Sequence, residues 1–210
     1  MRLSPTAERA IEAYGGAERW LSAGRVAATI STGGLAFRSR GWPPLQGIAV
    51  EVDTEKPRVV FRKESATAAF AEYLDGQLFA VAPALYPRDE LGFVGCALWN
   101  YLCLPRLLLR RDISWSEPRT GTLRARMPEA IPTHCAHQTF VFGESGLLRR
   151  HEYTAMSFGR WARAANQVLE HGTSAGLRFD ARRKVTPRFA GKALPGPTLV
   201  YLEVSEWRLE

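Results

Sequence analysis

Hydrophobic positions along the chain follow two periods. Ala7, Ala10, Ile11 and Tyr14 recur at helical spacing after Ser4-Pro5, which supplies an N-cap and a proline at the first helical position. Gly15-Gly16 ends that helix, and Ala17 to Ala23 is predicted to form a second short one, with Trp20 and Leu21 turned inward. After Gly24 the period changes to two. Val26, Ala28 and Ile30 alternate with Ala27 and Thr29, and Gly33-Gly34 predicts a hairpin turn leading into a second strand at Leu35-Ala36-Phe37. Further strands are expected at Ile48 to Val52, Val59 to Phe61, Phe70 to Leu74 and Gln77 to Val81, with Asp75-Gly76 as a tight turn.

The middle of the chain reads differently. From Asp89 it runs ELGFVGCALWNYLCLPRLLLRR, with Leu91, Val94, Leu98, Tyr101 and Leu102 at helical spacing and Pro105 as a break. This segment is apolar on more than one face, so it is expected to be buried or to cover something apolar. Strands resume at Ile113 to Ser116, Thr122 to Met127, Gln138 to Phe142 and Leu147 to Tyr153. Those at Gln167 to Thr173, Arg183 to Phe189 and Thr198 to Trp207 follow.

About ten short, closely spaced strands leave no room for parallel crossovers and must curl or close. The expected fold is mainly β (α+β): a curled antiparallel sheet forming a half-barrel or open barrel around an apolar cavity. Residues 1–23 are expected as N-terminal helices and 89–110 as a central lid helix. With no long linker or repeat, residues 1–210 are read as a single domain.

Composition narrows the function classes. The net charge is +7, mostly from arginine, but basic residues are spread along the chain and often alternate with apolar ones. That pattern suits solvated strand faces better than a nucleic-acid interface. Cys96, Cys103 and Cys135 lack metal or redox spacing, and reduced thiols suggest a cytoplasmic protein. The first twenty residues carry Glu8, Glu12 and Glu18 where a secretory signal needs an apolar core. No stretch of 18 apolar residues occurs, so no stable membrane insertion is expected.

Two stretches carry a resemblance. Ala13-Tyr14-Gly15-Gly16-Ala17-Glu18-Arg19-Trp20 with the central Ala97 to Leu102, and Gln138 to Phe142 with Gly146 to Thr154, resemble a group of uncharacterised bacterial proteins. That group is similar in architecture to the LolA/LolB-like lipoprotein-carrier superfamily. The resemblance implies an antiparallel half-barrel closed by helices around an apolar cavity, with a hydrophobic small molecule as partner.

No nucleotide, flavin or hydrolase motif is present, and no cofactor is expected. His134-Cys135-x-His137 does not suit one metal, because in extended chain positions 134 and 137 face opposite sides, and no metal is expected. By period two, Leu147, Arg149, His151 and Tyr153 share one strand face. Were that face inward, His151 and Tyr153 would form a proton-transfer pair and Arg149 would bind an anionic group; were it outward, all are solvated residues. His171, placed on an apolar face by its alternation partner Leu169, is either a satisfied core residue or a third proton-handling candidate. Trp99, Asn100, Tyr101, His134 and Trp42 are candidates for contacting substrate, with core packing or turn closure as the alternative. Two functions fit. One is a cofactor-independent enzyme that promotes cyclisation or isomerisation of a polyketide- or terpenoid-like molecule; the other is a non-catalytic carrier of a lipid or similar ligand.

Overall fold

The computed structural model describes residues 3–63, 69–80 and 86–210. Val81, the last residue of the strand expected at Gln77 to Val81, lies outside these residues.

Among the described residues there are thirteen strands: β1 (Arg25–Gly33), β2 (Leu45–Asp53), β3 (Arg58–Lys63), β4 (Ala69–Leu74), β5 (Gln77–Ala80), β6 (Ser114–Arg119), β7 (Thr122–Arg126), β8 (His137–Phe142), β9 (Leu148–Thr154), β10 (Arg163–Ser174), β11 (Leu177–Phe189), β12 (Lys192–Ala193) and β13 (Val200–Leu209). Five α-helices accompany them: α1 (Pro5–Ala13), α2 (Ala17–Ser22), α3 (Leu35–Ser39), α4 (Arg88–Leu102) and α5 (Leu104–Leu108). The sheet runs β5-β4-β3-β2-β1-β13-β11-β10-β9-β8-β7-β6, with β12 paired to β11. The C-terminal strand β13 is therefore the seam: it pairs with β1 on one side and β11 on the other, joining two meanders into one antiparallel sheet. β5 and β6 remain as free ends, so the sheet is an open half-barrel, as the strand count predicts.

The helices fill the trough. α4 packs on β2 to β5, while α5 packs on α1 and α2. Leu98, Trp99, Leu104, Leu107 and Leu108 are fully buried, which explains why this stretch is apolar on several faces. Two local expectations are revised. The break in the central helix falls at Cys103, and Pro105 sits in the first turn of α5, where its missing N–H costs nothing. Leu35-Ala36-Phe37 begins α3 rather than a strand. Gly34, at φ +129°, turns the chain, and the Leu35 and Ala36 amides donate to Thr198 O (3.2 Å) and Leu199 O (2.9 Å). A Cβ at Gly34 would lie 2.5 Å from Leu199 O, so only glycine permits this approach.

Candidate functional site

With the middle of the trough occupied by α4, open volume lies at its rim. One hollow of about 310 Å³ is bounded by α3, by the loop at 155–162 and by the adjoining ends of β9, β10, β11 and β13. Its wall is apolar: Leu35, Ala36, Phe93, Tyr153, Phe158 and Val200 are representative. It contains two arginines, Arg163 and Arg188, and no carboxylate. A second hollow of about 370 Å³ lies on the other side of Phe93 and is more polar, with Arg40, Asp89, Cys96 and His134 among its walls. A hollow of about 20 Å³ lies deeper, between Phe93, Leu98, Tyr101, Tyr153 and Leu202. Phe93 belongs to all three, so one aromatic ring partitions the space. It packs edge-on against Phe158 (5.5 Å) and Phe37 (6.4 Å) and stacks on His134 (4.8 Å).

Beneath these hollows runs a buried polar seam. Tyr101 from α4 and Tyr153 from β9 share a hydrogen bond of 2.7 Å. His151 Nε2–H donates to Gln138 Oε1 at 2.6 Å, while the imidazole stacks on Phe140 at 4.2 Å. Arg183 lies 4.8 Å over the Tyr101 ring and bonds to Asp180. Asp180 also accepts from Tyr14 (2.6 Å) and stands 3.1 Å from His171 Nε2.

Burial sets the protonation states. It pushes the His134 imidazole down to about 4. His151 is held well below its ordinary value, by burial first and then by the charge of Arg183. Burial also raises the Tyr101 and Tyr153 phenols, the latter further through Tyr101, and pushes the Cys96 thiol up to about 12. For Asp180 burial favours the acid, but Arg183 and the bonds from His171 and Tyr14 outweigh it and hold the carboxyl below its usual range. At neutral pH the imidazoles of His134 and His151 are uncharged and the thiol and phenols are protonated. In the seam the charges of Asp180 and Arg183 compensate each other.

The residues singled out from sequence separate accordingly. Tyr153 lines the apolar hollow; Trp42 and His134 line the polar one; Tyr101 reaches the small inner hollow. His151 is buried in the seam and lines none of these three. Trp99 donates its indole N–H to Asp53 O at 3.0 Å, and Asn100 donates to Cys96 O at 2.8 Å; both are buried within the packed interior. Arg149 is exposed, contrary to its assignment to the His151 face. A bulge between Val141 and Phe142 shifts the β8–β9 register, so Leu148 turns inward in its place. His171 is half-buried, with Nε2 3.0 Å from Leu148 O, and lies away from the hollows. Its neighbour Leu169 is exposed, because two register shifts around Glu170 undo simple alternation. A bulge opposite Ala27–Thr29 likewise leaves Glu203 and Glu206 both outward, where strict alternation places them on opposite faces.

Sequence reasoning missed Phe93, Phe158 and Trp161. The signal for the last two was available: a Gly/Arg-containing connection with Met156, Phe158 and Trp161 is too apolar for an ordinary loop. Among the described residues no cluster of three or more potential metal ligands occurs, and no helix is long and apolar enough to cross a membrane.

No family model matches the sequence, and no curated protein matches it. The architecture does match a solved structure. Superposition on a LolA superfamily protein from Nitrosomonas europaea gives a TM-score of 0.54 at 10% identity, covering 100% of this chain and 94% of the other. The chain has a LolA-like fold. A DUF1329 family protein from Desulfovibrio piger is also similar, with a TM-score of 0.46, 10% identity, and coverage of 98% and 92%. The LolA-like half-barrel thus agrees with the architecture expected from the two sequence stretches. At this identity the likeness is one of fold.

Proposed function

We propose that this LolA-like protein binds and carries a hydrophobic small molecule, and that the binding site is the apolar hollow at the rim. One observation carries the reading: an apolar hollow of about 310 Å³ opens beside exposed Leu35 and Trp161, within the size range of small-molecule sites. Carriage is favoured over cyclisation or isomerisation by the disposition of the proton-handling groups. His151 and His171 do not line this hollow, and Tyr153, which does, is a protonated phenol tied to Tyr101. Binding a dry guest needs only shape and apolar surface, worth about 25 cal/mol for each Å² removed from water.

Titration with the neutral apolar fluorophore N-phenyl-1-naphthylamine tests the reading. Ala36 is half-buried on α3 and lines the hollow, so Ala36→Trp fills it from the edge of the fold. The wild type is expected to bind, and the variant to bind at least about tenfold more weakly, the equivalent of about 1.4 kcal/mol. Equal binding by both, with native circular dichroism, would exclude this hollow as the site.

A further inference from the structure

The surface around the hollow carries a second message. Eight large hydrophobic side chains are exposed among the described residues, and five of them lie on three segments at this mouth: Leu35, Met156, Trp161, Phe189 and Leu194. The segments are α3 with its following turn (34–42), the loop at 155–163, and the end of β11 with its hairpin (186–197). The hairpin's first arm borders the hollow through Pro187 and Arg188, and its second arm is zipped to that arm, the Leu194 amide donating to Pro187 O at 2.8 Å. Trp161 is 80% exposed and Phe189 is 74% exposed. Trp161 is held by its loop: Gly159 is at φ +116°, and a Cβ there would lie 2.7 Å from the indole nitrogen.

These same three segments contain Arg38, Arg40, Arg160, Arg163, Arg188 and Lys192, and no aspartate or glutamate. Arg188 is paired with the buried Glu152 at 3.0 Å, and Arg40 donates to Ser157 O at 2.7 Å while lying 4.7 Å over Phe158. The other four make no ion pair among the described residues. Outside these segments the chain's 22 lysines and arginines are nearly balanced by its 21 aspartates and glutamates, so six of the seven net positive charges lie on the three segments. The excess of positive charge is thus gathered where the apolar side chains protrude.

We propose that this mouth docks on the surface of an anionic lipid bilayer, placing the entrance of the hollow against the membrane. Protruding aromatic side chains seat at the headgroup level, and arginine and lysine around them are attracted to anionic headgroups. No spanning helix is required for such peripheral contact. The inference extends the binding reading by naming the surface from which the guest is taken or to which it is given.

Flotation with vesicles tests it. The protein is expected to float with vesicles of phosphatidylcholine containing about one-third phosphatidylglycerol, and not with phosphatidylcholine alone. Binding is expected to fall steeply with added salt, and by roughly fivefold for each charge removed in Arg160→Gln and Arg163→Gln. Phe189 does not line the hollow, so Phe189→Ser is expected to weaken flotation at least about tenfold while leaving N-phenyl-1-naphthylamine affinity unchanged. Absence of binding to the anionic vesicles at low salt overturns the proposal, as does equal binding to both compositions. Sedimentation that shows a dimer dissolved by Phe189→Ser, without flotation, assigns the surface to a second copy and also overturns it. Loss of fluorophore binding by the wild type would instead overturn the carrier reading.

Discussion

Tyr101 and Tyr153 meet hydroxyl to hydroxyl at 2.7 Å, tying the helix that fills the trough to the strand that walls the apolar hollow. Both side chains are buried, so each phenol depends on the other. Tyr101→Phe strands the Tyr153 hydroxyl and is expected to cost about 1–3 kcal/mol in urea denaturation. The double variant Tyr101→Phe/Tyr153→Phe is expected to cost less than the two single changes added together, because no orphaned hydroxyl remains. Additive costs would show that the two hydroxyls do not act as a pair.

Stability should fall with acid well before carboxylates titrate. The folded imidazole of His134 is held at about 4 against an ordinary 6.5, so below 6.5 the unfolded chain takes up a proton that the folded chain refuses. The stabilisation is complete above pH 6.5 and is lost as pH falls through about 4, amounting to about 3 kcal/mol for this group. His151 acts in the same direction. Denaturation midpoints measured from pH 7 to 4 should therefore decline, and His134→Phe should flatten the decline in part. A slope unchanged by the substitution would place the titrating group elsewhere.

The Asp180–Arg183 pair works in a lower window. Asp180 is depressed in the folded chain, so its contribution is present above the ordinary carboxyl range and is lost as pH falls through its folded value. Asp180→Asn leaves a buried guanidinium without its counter-charge, with an expected loss of about 3–5 kcal/mol at neutral pH. Calorimetry at pH 7 measures this directly. A loss below 1 kcal/mol would mean that Arg183 finds water or another partner.

Phe93 is expected to set the length of the guest. As the common wall of three hollows, its removal in Phe93→Ala joins the apolar hollow to the inner space bounded by Leu98 and Leu202. Affinities for a series of primary alcohols should then shift toward longer chains. An unchanged preference would mean that neighbouring rings close the gap.

Gly92 offers the complementary control. It lies in α4 on the polar hollow, and a Cβ there meets nothing within 4 Å. Gly92→Leu should fill that hollow, raise stability by about 0.5–1 kcal/mol through helix propensity, and leave guest binding intact. Thermal melting together with fluorophore titration checks both halves of the expectation. Loss of binding would move the site across Phe93.

The half-barrel was legible because its evidence is local. Ser4 accepts a hydrogen bond from the Ala7 amide as the N-cap reading requires, and Asp75-Gly76 takes positive φ at both positions, as a tight hairpin turn demands. The first half of β11 was missed: Ala175-Gly176 makes a similar turn, but the polar Arg178, Asp180 and Arg182 hide the strand that follows. Facings were lost wherever a bulge intervened, as at Arg149 and His171, because one inserted residue reverses every side chain beyond it. α3 was unreadable for another reason. Its start is fixed by carbonyls at Thr198 and Leu199, far along the chain, and no local pattern encodes them. The hollow is formed by segments from five parts of the sequence, so only Tyr153 among its walls was anticipated.

The central claim is that a hydrophobic guest sits between Phe93, Tyr153 and Ala164. Anomalous diffraction from crystals grown with 10-bromodecan-1-ol tests it most directly. A bromine peak inside the hollow bounded by these residues, absent in Ala36→Trp crystals, is the predicted result. Crystals grown at saturating ligand with no bromine in this hollow, or with bromine only on the far side of Phe93, would contradict it.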